Sequence, residues 1–123
     1  MADPLANVPE VPSVDAAKAK ELVEVKKFAF LDVRTVEEYE KGHVAGSVNV
    51  PYLFFKEDGS KELNPEFLEK ATAALPDPHA DIVVSCQMGR RGALATKALQ
   101  DAKYTSVVNL DKGLSTWTCP LQK

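Results

Sequence analysis

Apolar residues along this chain change their spacing several times, and each change marks an element. Val14, Ala17, Leu22 and Val25 recur at roughly helical intervals, with Ser13 or Asp15 placed to cap the first turn. Phe28-Ala-Phe-Leu-Asp-Val33 is a continuous apolar run and predicts a buried strand. Thr35-Val-Glu-Glu38 fits a capping box, in which hydroxyl and carboxylate each serve a free backbone amide, and predicts a short helix ending near Gly42. Ser47-Val-Asn-Val50 is a second strand, stopped by Pro51, and Tyr52 to Leu63 reads as a long surface loop turning at Asp58-Gly59. Asn64 as cap and Pro65 at the first helical position open a helix carrying Phe67, Leu68, Ala71, Ala74 and Leu75, which Pro76 and Pro78 end. Ile82-Val-Val-Ser85 is a short β-branched strand. Gly92 to Lys103 is a helix with Leu94, Ala95, Ala98, Leu99 and Ala102 on one face, Thr105 to Leu110 the last strand, and Leu114 to Trp117 a closing helical turn.

Strands alternating with helices predict an α/β fold, a central mostly parallel sheet covered on both faces, in which ligand sites gather at the carboxyl ends of strands. Pro4, Pro9 and Pro12 mark an extended arm that can add an edge strand near Val11 to Val14. The expected organisation is an arm over residues 1–10, one domain over 11–119 and a tail over 120–123. A length of 123 residues suits one domain and leaves no room for a second lobe.

Composition narrows the function. The chain is 45% hydrophobic and 27% charged, which suits a packed core and argues against disorder. Fifteen basic against eighteen acidic residues give a net charge of −3, so no basic footprint points to nucleic acid, and any anion site has to be built locally. No apolar run reaches the roughly 20 residues of a bilayer span, and MADPLANVPEVPSV has neither the pattern of a signal peptide nor that of an Arg-rich transit peptide. A cytoplasmic location is expected, with a plastid or mitochondrial matrix as the alternative if a transit peptide has been removed. Cys86 and Cys119 read as two free thiols, and His43 and His79, the only histidines, form no closely spaced ligand pair. No metal and no organic cofactor is expected, nor a nucleic-acid or membrane partner, and the chain is expected to be a monomer.

The chemistry concentrates in Ile82-Val-Val-Ser-Cys86-Gln-Met-Gly89-Arg90-Arg91-Gly92. This stretch puts a thiol at the end of a strand and the start of a helix. The helix dipole, consecutive backbone N–H groups and the two arginines all favour the thiolate over the thiol there. Gly89 permits a backbone conformation closed to other residues, and Gly92 leaves room where the helix begins. The competing reading is a buried core thiol with solvated arginines.

C-x-x-G-x-R between a short hydrophobic strand and a helix resembles the active-site loop of the rhodanese family of sulfurtransferases. Leu31-Asp-Val-Arg34 with Glu37-Glu38-Tyr39, Gly42-His-Val-Ala-Gly46-Ser-Val-Asn-Val-Pro51, and Leu110-Asp-Lys-Gly113 with Trp117 resemble the other motifs of that family, in order. The similarity runs from about Val11 to Trp117, and the loop and the Pro51 to Leu68 segment look similar to small eukaryotic and plant members. The resemblance implies a three-layer domain and a thiosulfate sulfurtransferase. Cys86 would attack the outer sulfur of thiosulfate, hold it as a persulfide stabilised by the loop Gln87, Met88, Gly89, Arg90, Arg91 and Gly92, and pass it to cyanide, glutathione or a protein thiol. Arg90 and Arg91 would bind the anionic donor and fix the loop. Cys86 to Arg91 is the six-residue loop of sulfurtransferases; related phosphatases and arsenate reductases carry one residue more, which would put their arginine at Gly92. Glutathione-dependent arsenate reduction, sulfur delivery to a protein partner and a non-catalytic binding module are the alternatives. The chain departs from the family at Gly92, where many members have Ser or Ala, and at Lys112, where many have a second glycine.

Several other residues have simpler expected roles. Asp32 and Arg34 are expected to brace neighbouring loops as an ion pair, and His43 to be structural rather than the base of a Cys/His dyad. Glu37, Glu38 and Glu40 form a solvated helix face, one of which could hold Arg91. Trp117 is a core or end-cap aromatic, Lys112 a solvated turn residue, and Cys119 an incidental thiol rather than a resolving one.

Overall fold

The apolar runs become the middle of a five-stranded sheet. The computed structural model describes residues 7–117 and 121–122. Strands β1 (Ser13–Val14), β2 (Ala29–Asp32), β3 (Val48–Asn49), β6 (Ile82–Ser85) and β7 (Val107–Leu110) lie in the order β1-β7-β6-β2-β3, every pairing parallel. Helices α1 (Ala16–Glu24), α2 (Val36–Glu40), α3 (Phe67–Ala74) and α4 (Arg90–Asp101), with a closing 3-10 turn over Gly113–Thr116, complete the domain. Among the described residues no helix is long and apolar enough to cross a membrane.

Side chains alternate across the sheet and fill a core on each face. Ile82, Val84 and Leu31 pack with Phe67, Ala71, Ala95 and Leu99 on one side, and Val83 and Phe30 with Ala19, Leu22, Leu110 and Leu114 on the other. Residues 82 and 84 face α4, and Cys86 continues that alternation one step beyond the strand. The thiol is thereby aimed into the protein at the start of α4.

Several elements differ from the sequence reading, α4 among them, which runs from Arg90 to Asp101. The Tyr52 to Leu63 segment is not a plain loop: Leu53–Phe55 (β4) and Lys61–Leu63 (β5) pair antiparallel around a turn in which Gly59 has φ 87° and Asp58 accepts from the Ser60 amide. With only three residues per strand, its alternation is too short to stand out from a loop. Asn64 does not cap α3; its Oδ1 accepts the Glu66 amide in a local turn, and the helix starts later, at Phe67. On α1 the buried stripe runs through Ala19 and Leu22, leaving Ala17 exposed and Val25 70% exposed, because the helix ends at Glu24. Asp15 supplies the cap, accepting from the Lys18 amide.

Candidate active site

Cys86 is 1% exposed and lies where β6 gives way to α4. Gly89, with φ 101° in the left-handed region, caps α4 and turns its N–H onto the Cys86 Sγ at 3.0 Å. The Gly92 N–H reaches the same sulfur at 3.2 Å. The carbonyls of this loop point the other way: Cys86 and Gln87 accept from the amides of Leu114 and Ser115 in the closing turn, at 2.9 and 3.0 Å. With its acceptors engaged behind it, the loop presents donors to the sulfur, an arrangement that stabilises negative charge there.

Register explains the surroundings. Asp32 pairs with Ser85 across β2 and β6, so Arg34 lies beside the loop. The Asp32 carboxylate accepts two-pronged from Arg34, and that guanidinium also donates to the Gly42 carbonyl at 2.7 Å and to Gln87 Oε1 at 3.4 Å. The brace expected of this pair therefore extends to the second residue of the loop. Arg91 is 7% exposed and makes a two-pronged ion pair with Glu38, at 2.7 and 3.0 Å, beneath the Phe55 ring 5.3 Å away. Of the glutamates on α2 it is Glu38 that reaches the loop, while closing the Thr35 capping box. Arg90 and Met88 are exposed, and no described residue partners the Arg90 guanidinium.

The rhodanese-like domain model matches residues 15–119. The chain belongs to the rhodanese-like family. This rhodanese-like chain is 41% identical over 110 residues to Thiosulfate sulfurtransferase 18 of Arabidopsis thaliana, covering 88% of this chain and 79% of the relative. Protein HIGH ARSENIC CONTENT 1, mitochondrial, of the same plant is 38% identical over 111 residues, which span 89% of this chain and 63% of that one. The solution structure of the rhodanese-like domain of an Anabaena protein superposes with a TM-score of 0.71 over 92% of this chain and 80% of that one, at 24% identity, and supports the fold.

Other residues of the rhodanese-like chain take up their places around this loop. His43 stacks on Tyr39 at 3.9 Å and its Nδ1 lies 2.9 Å from the Tyr39 carbonyl oxygen, so the ring is engaged there and not with the thiol. Trp117 meets Phe30 edge-on at 5.7 Å. Lys112 is exposed and takes φ 62°, a left-handed conformation held by a residue with a Cβ. Its backbone stands where a Gly89 Cβ would be, 2.9 Å away, so Gly89 is required by contact as well as by φ. Val8, Pro9 and Glu10 of the arm wall a cavity of about 420 Å³ beside Met88, Arg90 and Lys112. Cys119 lies outside the described residues.

Two participants escaped the sequence reading. Phe55 sits in the segment read as loop. Asn109 interrupts the apolar run Val107-Val-Asn-Leu110, and a buried amide in such a strand is the signal that could have found it.

The Glu38 pair carries a pH dependence. Burial raises the Glu38 carboxyl, but the Arg91 hydrogen bond and charge, with the Thr35 bonds, outweigh it and bring it from 4.5 to about 2. A carboxyl lowered on folding stabilises the native state above its unfolded value and loses that contribution as pH falls from 4.5 toward 2. Allowing for screening at the exposed edge, the effect is about 1–2 kcal/mol. Glu38→Gln is expected to unfold at lower urea than wild type at pH 7, with the gap closing by about pH 2–3. An equal gap at both pH values would contradict this.

Proposed function

We propose that the chain is a sulfurtransferase that carries sulfane sulfur on Cys86. The observation that carries this reading is the convergence of the Gly89 and Gly92 amides on a buried sulfur, within a six-residue Cys86 to Arg91 loop. Relatives named for thiosulfate sulfur transfer support the same class of reaction.

In the first half-reaction the Cys86 thiolate attacks the outer sulfur of thiosulfate. The new Cys86–sulfur bond forms as the sulfur–sulfur bond of thiosulfate breaks, and sulfite leaves with the bonding pair. The persulfide anion then lies in the amide cradle. An acceptor thiolate or cyanide attacks the terminal sulfur, forms thiocyanate or a new persulfide, and returns the Cys86 thiolate. No net electron source is needed. Arg91 is committed to Glu38 and holds the loop, which leaves Arg90 to meet the anionic donor. The chain works as a monomer in a reducing compartment, the cytoplasm or an organelle matrix.

Two covalent half-reactions give ping-pong kinetics. With thiosulfate and cyanide varied together, parallel double-reciprocal lines are expected, and intersecting lines would overturn the cycle. Arg90→Ala is expected to raise the thiosulfate KM about three- to tenfold with little change in kcat, and less at high salt. An unchanged KM would remove Arg90 from donor binding. Arsenate reduction with glutathione would use the same thiol, and the name of one Arabidopsis relative is what favours it. Arsenite formation that disappears in Cys86→Ser would establish that reading.

A further inference from the structure

We propose that Asn109, on the strand beside β6, is the positioning residue that sets both amide donors on the Cys86 sulfur. Its side chain is 4% exposed and touches the two glycines whose N–H groups reach that sulfur. Nδ2 donates to the Gly89 carbonyl at 3.2 Å. The same carbonyl accepts the Ala93 amide at 3.0 Å in the first turn of α4, so the Asn109 bond fixes the peptide plane that joins the left-handed cap to the helix. Oδ1 stands 2.2 Å from the point a Gly92 Cβ would occupy. The side chain thus fills the space that the missing Cβ of Gly92 leaves open.

The orientation of the amide follows from its neighbours. A carbonyl can only accept, so an N–H has to face Gly89, and the flipped amide would set two oxygens against each other. That choice leaves Oδ1 buried with no hydrogen-bond partner among the described residues. A buried unpaired acceptor is costly. What offsets the cost here is the geometry that the other end of the amide imposes on the loop. Asn109 itself is held in place by pairing on both sides, opposite Val84 in β6 and Ser13 in β1, with its own N–H donating to the Pro12 carbonyl at 2.8 Å. It acts through Gly89 and Gly92 and need not touch substrate.

This inference rests on Cys86 reacting as a thiolate, and a test that reads the thiol directly separates it from the sulfur-transfer proposal. Iodoacetamide alkylation would be followed by mass spectrometry of the Cys86 peptide, since Cys119 is a second thiol, across a range of pH. In Asn109→Ala the profile is expected to move to higher pH, with alkylation at pH 7 slowed about three- to tenfold. Asn109→Thr, whose branched side chain suits the strand but whose hydroxyl is too short to reach Gly89, should behave likewise and serves if the alanine variant does not fold. Val108→Ala, on the opposite face of the same strand, should lower stability and leave the profile in place. A folded Asn109 variant with the wild-type profile, or an equal shift in Val108→Ala, would overturn the proposal. Failure of wild type to load sulfur from thiosulfate, with the Asn109 shift present, would count against the proposed reaction alone.

Discussion

Incubated with thiosulfate, the wild-type chain is expected to gain the mass of one sulfur atom, and Cys86→Ser to gain none. The substitution is close to isosteric, and the Gly89 and Gly92 amides that reach Sγ at 3.0 and 3.2 Å can donate to a hydroxyl instead, so the fold is retained. His43 is engaged with Tyr39 and does not serve as a base for a serine hydroxyl there, which stays protonated at neutral pH. Turnover with thiosulfate and cyanide should fall about 10³-fold or more. Cyanide should strip the added sulfur from wild type and restore the original mass. Sulfur loading that persists on Cys86→Ser would place the carrier elsewhere, Cys119 being the other thiol, and would end the assignment.

The second large effect is expected at Gly113, which contacts the Cys86 loop from behind. A Cβ there would lie 2.3 Å from the Cys86 carbonyl oxygen and 2.7 Å from Gln87 backbone atoms. These are main-chain atoms held by the Leu114 and Ser115 amides, so relief means breaking those bonds. The residue also has φ 58°. Gly113→Ala should cost about 2–4 kcal/mol, lowering the urea midpoint by about 1–2 M. Gly46→Ala supplies the comparison, because Gly46 has φ 79° but nothing near its missing Cβ, and the backbone term alone is about 1 kcal/mol. Equal midpoints for the two variants would show that the contact with the loop contributes nothing.

What the sequence made legible follows from the range over which each signal acts. The buried β-branched strands, the Thr35 to Glu38 capping box and the Cys86 to Gly92 loop are local patterns, and each lies where the periodicity put it. The first turn of α4 begins at Arg90, two residues before the expected start at Gly92, because the left-handed Gly89 caps the helix and a cap leaves no hydrophobic trace. The β4–β5 hairpin leaves no such pattern, because its three-residue strands leave Phe54, Phe55 and Leu63 exposed, where alternation has no core to answer to. The partnership of Glu38 with Arg91 spans 53 residues, and Asn109 meets Gly89 across 20. Such contacts are set by strand order, and in this chain they complete the cradle around the thiol.

Strand order also fixes when that cradle can exist. β7 sits between β1, the earliest of the five sheet strands along the described residues, and β6, and the closing turn that engages the Cys86 and Gln87 carbonyls follows it. During synthesis, β1 therefore waits for a partner more than 90 positions away, Ser13 meeting Asn109. The cysteine leaves the ribosome well before the segments that turn its loop inward. Until residues 107–115 have emerged, the nascent chain lacks the contacts that hold the Cys86, Gln87 and Gly89 carbonyls, and the set of amide donors around the thiol is completed late, together with the closing of the sheet.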